Sequence, residues 1–180
     1  MSRAKEDVAE PFAIAPFSVT VVRSAKRRRT VGAQLRGDVL TVTVPSWMSR
    51  ADEKMWAQKM AASFARKLST DRIDLTARAT TLARRYALRQ PREIKWADNM
   101  STRWGSCTFS TATIRISTVV ARFPDWVIDA VLVHELCHLE VHGHGPDFWE
   151  RANRYPKMER AIGYLIAKSG DDDEHGVDGG

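Results

Sequence analysis

Residues 131–139 read VLVHELCHL, a stretch that contains the pattern His-Glu-x-x-His. Because an α-helix has about 3.6 residues per turn, His134 and His138 lie one turn apart on the same face. Two neutral imidazoles in this arrangement can bind one Zn²⁺ ion. Glu135 lies on the flank of that face, where it can act as general base on a zinc-activated water without binding the metal. The pattern predicts a catalytic zinc helix.

The residues before this pattern help to decide whether the two histidines bind zinc or only pack in the core. A five-letter match arises by chance in many proteins that bind no metal. Residues 126–133, however, are apolar on nearly all sides, which predicts a buried helix. Two histidines and a glutamate buried at its end without partners would cost free energy. A bound metal removes that cost, so we favour zinc ligation.

A catalytic zinc site needs a third protein ligand and an open position for water, and two histidines follow the helix. If the helix continued to His142, that residue would lie about 12 Å along the axis from His134, which is hard to reconcile with one tetrahedral ion. Gly143 can adopt the left-handed conformation that ends helices, and Pro146 hinders the helix from resuming. The chain can then turn back and present His144. We favour His144 as the ligand and place His142 at the rim.

The composition is that of a soluble globular protein. The chain has 180 residues, of which 43% are hydrophobic and 28% charged. Its two cysteines, Cys107 and Cys137, do not form a disulfide framework, and free thiols indicate a reducing compartment. No secretory signal or membrane-length apolar stretch is visible. We expect a cytoplasmic monomer without a membrane partner.

The net charge of +6 is unevenly distributed. Five acidic residues lie in the last twelve positions, so residues 1–168 carry +11. A basic body can attract nucleic acid. No zinc-finger or helix-turn-helix motif supports that reading, and a solvated basic surface explains the charge at least as well.

The remaining sequence predicts an α+β fold. Strand patterns over residues 17–23, 30–35 and 39–44 predict an N-terminal antiparallel β-meander, followed by helices that begin near residues 51 and 74. Ser49 is the expected cap of the first helix, whose apolar residues recur from Met55 to Leu68 and predict a buried stripe. Strands over 93–97 and 113–117 predict a small mixed sheet beside the buried His-Glu-x-x-His helix. We predict a flexible arm over residues 1–16, a single domain over 17–168 with a last helix over 155–168, and a disordered acidic tail over 169–180.

Three blocks in the second half resemble the YgjP-like metallopeptidase family. They are RWGSC at 103–107, HELCHL at 134–139 and HGPDFW at 144–149, in the family's order. The resemblance implies a zincin-like metallopeptidase with His134, His138 and His144 as zinc ligands and Glu135 as base. The family is similar to the SprT-like proteases. One difference is the setting of the third ligand, which is Gly-His-Gly here and usually Asn-His-Ser in the family.

Together these observations predict zinc-dependent hydrolysis of peptide bonds in a protein or peptide substrate. A second group is expected to stabilise the oxyanion of the transition state, and the sequence offers three alternatives, Arg103, His142 and Tyr155. The alternative functions are a nucleic-acid-associated protein and a non-catalytic zinc-stabilised binding module. Glu135 argues against the binding module, because a structural zinc site needs no base and normally fills all four positions with protein ligands.

Overall fold

The structure is a computed structural model that describes residues 7–8, 12–100 and 102–171. In these residues the fold is mixed α+β, with two small mixed sheets and five α-helices. The chain divides into two compact units, residues 1–68 and residues 69–180, referred to below as the N-terminal and C-terminal units. Each unit has its own cluster of buried apolar side chains. The single domain expected over residues 17–168 stays a prediction.

The N-terminal unit contains one sheet and most of one long helix. Its strands are β1 (Asp7–Val8), β2 (Phe12–Ile14), β3 (Phe17–Ser24), β4 (Gly32–Arg36) and β5 (Val39–Pro45). The order is β1-β3-β5-β4, and β2 also pairs with β3. Alternate residues of β3 and β5 are buried, as the period of two in a half-buried strand requires.

The predicted antiparallel meander is wrong for one pair of strands. β5 pairs antiparallel with β4 but parallel with β3, so β3 and β4 are not neighbours. The reason is burial: Leu40, Val42 and Val44 of β5 are fully buried, whereas β4 is at least partly exposed along its length. The most apolar strand, β5, therefore takes a central position. Residues 25–31, which connect β3 to β4, are long enough to cross the end of β5.

The predicted flexible arm over residues 1–16 also needs correction. Within it, β1 and β2 pair antiparallel with β3. Sequence reasoning missed β2 because prolines flank it at positions 11 and 16, although proline is compatible with positions just outside a strand. Residues 1–6 and 9–11 of the predicted arm lie outside the described residues.

Helix α1 (Arg50–Asp71) begins as the sequence predicts. The backbone N–H of Asp52 donates to the Ser49 hydroxyl, which is the expected N-terminal cap. The buried positions of the helix are Glu53, Ala57 and Ala61. The apolar stripe is displaced from the prediction, because Met55 and Leu68 at its ends are exposed.

The C-terminal unit surrounds one buried helix. Its elements are α2 (Leu75–Arg85), β6 (Glu93–Ala97), β7 (Gly105–Thr108), β8 (Thr113–Ser117), α3 (Asp125–Cys137), α4 (Pro146–Ala152) and α5 (Met158–Asp171). β8 is the central strand, parallel to β6 and antiparallel to β7. This is the small mixed sheet that the sequence predicts, and α3 contacts both β7 and β8.

The last helix is displaced by three residues from the prediction. α5 spans Met158–Asp171, whereas the sequence pattern suggested residues 155–168. Residues 172–180 of the predicted acidic tail lie outside the described residues. None of the described helices combines the length and the apolar character needed to cross a membrane.

Candidate metal centre

Helix α3 is fixed at its N-terminal end by two neighbouring elements. Pro124 precedes it, and Arg78 of α2 forms ion pairs with both acids of its first turns, at 2.9 Å to Asp125 and 2.6 Å to Asp129. The Tyr155 hydroxyl donates to the Trp126 carbonyl at 2.8 Å. These contacts hold the start of a helix whose other end carries the His-Glu-x-x-His pattern.

The chain beyond α3 is held in a defined path. The helix ends at Cys137, earlier than the sequence suggested, and Glu140 follows in a turn. The Glu140 carboxylate accepts hydrogen bonds from the Arg89 backbone N–H at 2.6 Å and from the Arg151 side chain at 3.2 Å. Gly143 adopts a positive φ of 73° as expected, but it turns the loop after the helix rather than ending the helix itself.

This loop brings three imidazoles together. The Nε2 atoms of His134, His138 and His144 lie 3.1–3.2 Å from one another. Among the histidine, cysteine and acidic side chains of the described residues, these three histidines form the group that could hold a metal ion. The local helix brings His134 next to His138, and the glycine-flanked loop supplies His144.

The triad fits a zinc ion. Three nitrogens in tetrahedral positions at 2.0–2.1 Å from zinc would be about 3.3–3.4 Å apart, close to the observed spacing. The three-nitrogen set also matches the preference of zinc for imidazole donors. His144 is exposed and the other two histidines are half-buried, so the centre is accessible from the His144 side. In general, a zinc site with three protein ligands and one open position is catalytic, whereas a structural zinc site has four protein ligands.

Neighbouring groups orient the three rings. The His138 Nδ1 lies 3.2 Å from the Val141 carbonyl, which can only accept, so Nδ1 carries the proton and Nε2 presents its lone pair to the triad. The Phe148 ring of α4 is fully buried, and its centroid lies 4.6–4.8 Å from those of all three histidines. Helix α4, which begins two residues after His144, supplies this ring.

The environment of the triad keeps the imidazoles of His134 and His138 neutral. Burial, aided by His138 and His144, lowers the pKa of His134 to about 3. Burial also lowers the pKa of His138. Metal binding requires the neutral form of histidine, so this environment favours the ligand state across the physiological range of pH.

Glu135 lies beside the triad in an unusual setting. The residue is only 6% exposed, and its Oε2 atom has no hydrogen-bond partner among the described residues. Burial raises the pKa of the Glu135 carboxyl to about 8, although the positive charge of Arg103 acts in the opposite direction. An uncompensated buried carboxyl of this kind is typical of functional sites.

Strand β7 passes directly against the Glu135 side chain. A Cβ atom placed on Gly105 would lie 2.5 Å from Glu135 Oε1 and 2.8 Å from its Cδ and Cγ atoms. Real Cβ atoms do not approach heavy atoms that closely, so only glycine fits here without a displacement. Sequence reasoning assigned Gly105 no role, because the contact depends on how β7 packs against α3.

The structure places the three residues that the sequence offered as stabilisers of the oxyanion in different surroundings. Arg103 is exposed just before β7, and its charge acts on Glu135. His142 is exposed at the rim, where its ring centroid lies 4.5 Å from that of Phe109. Tyr155 is buried, and its hydroxyl bonds to Trp126, about 12 Å along α3 from His134. Tyr155 therefore anchors the helix away from the triad.

The two cysteines are free, as the sequence indicated. Cys137 is fully buried in the core, and burial raises its pKa to about 12. Cys107 of β7 is half-buried, and burial together with the charge of Glu135 raises its pKa to about 11. Both thiols therefore stay protonated near neutral pH, and neither belongs to the histidine group.

Comparison with known proteins adds a family match. The family model "YgjP-like, metallopeptidase domain" matches residues 48–162, more than half of the chain. Among solved structures, the chain is similar to the zymogen of the metallopeptidase abylysin from Pyrococcus abyssi, with 18% identity, a TM-score of 0.48 and coverage of 56% of this chain and 97% of that one. It is also similar to the zymogen of jannalysin from Methanocaldococcus jannaschii, with 20% identity, a TM-score of 0.47 and coverage of 53% and 97%. No curated protein sequence matches the chain.

Proposed function

The chain belongs to the YgjP-like metallopeptidase family, and we propose that it is a zinc-dependent peptidase with a zincin-like site. His134, His138 and His144 would hold the zinc ion, and Glu135 would be the general base. The observation that carries this proposal is the convergence of three Nε2 atoms within 3.2 Å, beside a buried carboxylate that has an unbonded oxygen. The substrate class is a protein or peptide.

The metal would supply the chemistry, and the surrounding side chains would hold and orient it. When bound, zinc would polarise the scissile carbonyl and lower the pKa of a water from 15.7 to about 7. The three imidazoles would hold the zinc ion through Nε2, and the Val141 carbonyl keeps the His138 ring in the required tautomer. Phe148 packs against all three rings and keeps them from turning away.

Glu135 would carry the proton through the reaction. Its carboxylate accepts a proton from the water that attacks the peptide carbonyl and then donates it to the leaving amine. Burial makes the ionised form a stronger base than an exposed glutamate, because the pKa of its conjugate acid is raised. The close approach of Gly105 fixes where that carboxylate can lie.

Arg103 is our proposed stabiliser of negative charge on the substrate carbonyl oxygen. Its guanidinium acts electrostatically on Glu135, and the residue is exposed and able to reach a bound peptide. His142 is placed at the rim, where Phe109 and its own exposure suit contact with a substrate side chain. The predicted cytoplasmic location and monomeric state stay predictions.

Metal content and proteolysis, measured together, test the proposal. After mild dialysis, the wild type should contain about one zinc per chain and cleave members of an unfolded-peptide library. A chelator should stop cleavage, and added zinc should restore it. His144→Ala should lose most of the zinc and the cleavage, whereas His142→Ala, two residues away, should keep its zinc.

Two results would overturn the assignment. Loss of zinc from His142→Ala with retention in His144→Ala would show that the wrong histidine was chosen. Stoichiometric zinc in a wild type that cleaves no library member would instead favour a non-catalytic zinc-stabilised module.

A further inference from the structure

The N-terminal unit presents a basic loop beside an exposed tryptophan. Because β3 and β5 are parallel and Ser24 is aligned with Pro45, the segments that follow the two strands leave the sheet at the same edge. One segment is the basic loop, residues 25–31, which contains Lys26 and three consecutive arginines. The other contains Trp47, the most exposed of the large apolar side chains in the described residues, at 69%.

Hydrogen bonds hold the two segments against each other. The Trp47 indole N–H donates to the Arg28 carbonyl at 2.9 Å, which ties the ring to the loop. The Arg23 guanidinium donates to the carbonyls of Ser46 and Met48 on either side of the tryptophan, at 3.2 and 3.1 Å. The ring is therefore held in place at the surface instead of being folded into the core.

Three cations of the basic loop have no ion-pair partner among the described residues. They are Lys26, Arg28 and Arg29, and all three are exposed. Two of the nearby acids are engaged elsewhere: the buried Glu53 pairs with Arg23 and Arg50, and Asp52 bonds to Ser49.

The whole charge excess of the chain lies in this unit. Residues 1–68 have 13 basic and six acidic residues, a net charge of +7. Residues 69–180 have 15 basic and 16 acidic residues, a net charge of −1, and five of these acids lie after residue 168. Such a difference between two parts of one chain is typical of a unit that meets a polyanion.

We propose that Trp47 and the basic loop bind single-stranded nucleic acid. The tryptophan ring stacks on an unpaired base, while Lys26, Arg28 and Arg29 contact the flanking phosphates. An acidic protein would satisfy the charges but would not need an exposed indole among them. A duplex would satisfy the charges too, but its paired bases cannot stack on a side chain. This surface is independent of the histidine triad, so it does not rest on the proposed peptidase activity.

The test is binding of a fluorescently labelled oligothymidylate to the full chain. Fluorescence anisotropy measures the affinity at several salt concentrations. Trp47→Ala should weaken binding about 5- to 150-fold, the range for loss of one base–aromatic stack. Trp47→Phe should restore most of it, because the aromatic face returns. Paired replacement of Arg28 and Arg29 by Ala should reduce the slope of log affinity against log salt by about 1.4, since each phosphate contact contributes about 0.7 in single strands.

Arg36→Ala is the matched control. It removes one exposed positive charge at the other end of the same sheet, where Arg36 is aligned with Val39. This variant should bind almost as the wild type does, and unchanged circular dichroism should show that all variants are folded.

Four results would overturn the proposal. They are no binding of the oligonucleotide at low salt, equal affinity for a duplex of the same length, unchanged binding by Trp47→Ala, and equally tight binding of polyglutamate. The last result would assign the surface to acidic proteins. Removal of zinc should leave oligonucleotide binding unchanged.

Discussion

Two glutamates in this chain are buried to a similar degree, and their surroundings are opposite. Glu53 of α1 is 4% exposed and forms ion pairs with Arg23 at 2.6 Å and Arg50 at 3.3 Å. Glu135 of α3 is 6% exposed and has no ion pair among the described residues. Each carboxylate has one oxygen without a hydrogen bond, but that of Glu53 lies 2.6 Å from the Arg23 Nε. The first carboxylate is neutralised within the N-terminal unit, and the second is left available.

This difference separates a structural charge from a reactive one. A buried ion leaves water at a considerable cost, which a well-placed partner offsets. Where no partner is supplied, the pKa shifts instead, as it does at Glu135. Buried carboxyls without a partner are typical of catalytic sites, where their raised proton affinity is used in the reaction. Substitution by glutamine should therefore affect catalysis at Glu135 and stability at Glu53.

The largest expected effect is on hydrolysis. Glu135→Gln preserves the shape of the side chain but removes its ability to accept a proton, so the rate should fall by about 10²–10⁴-fold. Zinc content should be unchanged, because Glu135 is not among the three grouped histidines. The measurement is peptide cleavage at matched zinc occupancy. Equal rates in both forms would exclude Glu135 as the base.

The matching substitution in the N-terminal unit should act on stability. Glu53→Gln leaves Arg23 without its charged partner, and breaking a buried pair costs roughly 3–5 kcal/mol. Because the Arg23 side chain is 23% exposed, we expect a smaller loss, about 2–3 kcal/mol in the free energy of unfolding by urea. Asp52→Asn, one residue away and exposed, is the control and should cost less than about 1 kcal/mol. A loss no larger than that of the control would show that the ion pair does not stabilise the unit.

The sequence revealed what depends on local spacing and missed what depends on distant contacts. His134 and His138 follow from one helical turn, and the glycines around His144 indicated the loop that returns it to them. The parallel pairing of β3 with β5 could not be predicted, because residues 32–36 intervene and take the outer position. Glu53 and Arg23 are 30 residues apart, as are Glu135 and Gly105. Nothing in the local pattern tells which glutamate is paired and which stays free.

Gly105 offers a smaller effect that sharpens the comparison. Gly105→Ala places a methyl group against the Glu135 carboxylate, and such overpacking costs about 1–3 kcal/mol. In a Glu135→Ala background the space is open, so the same change should cost much less. Urea unfolding of the four proteins in this cycle measures the coupling. Additive effects would show that β7 does not press on Glu135. This readout is independent of any enzymatic activity.

The smallest expected effect is a pH dependence of the metal-free protein. The pKa of Glu135 is about 8 in the folded chain and ordinarily 4.5, so between these values the folded state binds more protons than the unfolded state. The free energy of unfolding should then fall as pH rises, by at most about 1.4 kcal/mol per pH unit. His134 acts in the opposite direction, because its pKa of about 3 in the folded chain, against an ordinary 6.5, lowers stability as pH falls below 6.5.

The difference between the wild type and Glu135→Gln over pH 6.5 to 8 therefore isolates Glu135, because the lowered pKa values of His134 and His138 act equally in both proteins. Across this range, urea unfolding of the zinc-free wild type should show decreasing stability. The Glu135→Gln variant should show a flatter profile, because it has no proton to release. Glu53→Gln should be less stable throughout but keep the slope of the wild type, because it leaves Glu135 in place. Parallel profiles for the wild type and Glu135→Gln would mean that the buried carboxyl is already ionised at pH 6.5, and that an unseen partner neutralises it as Arg23 neutralises Glu53.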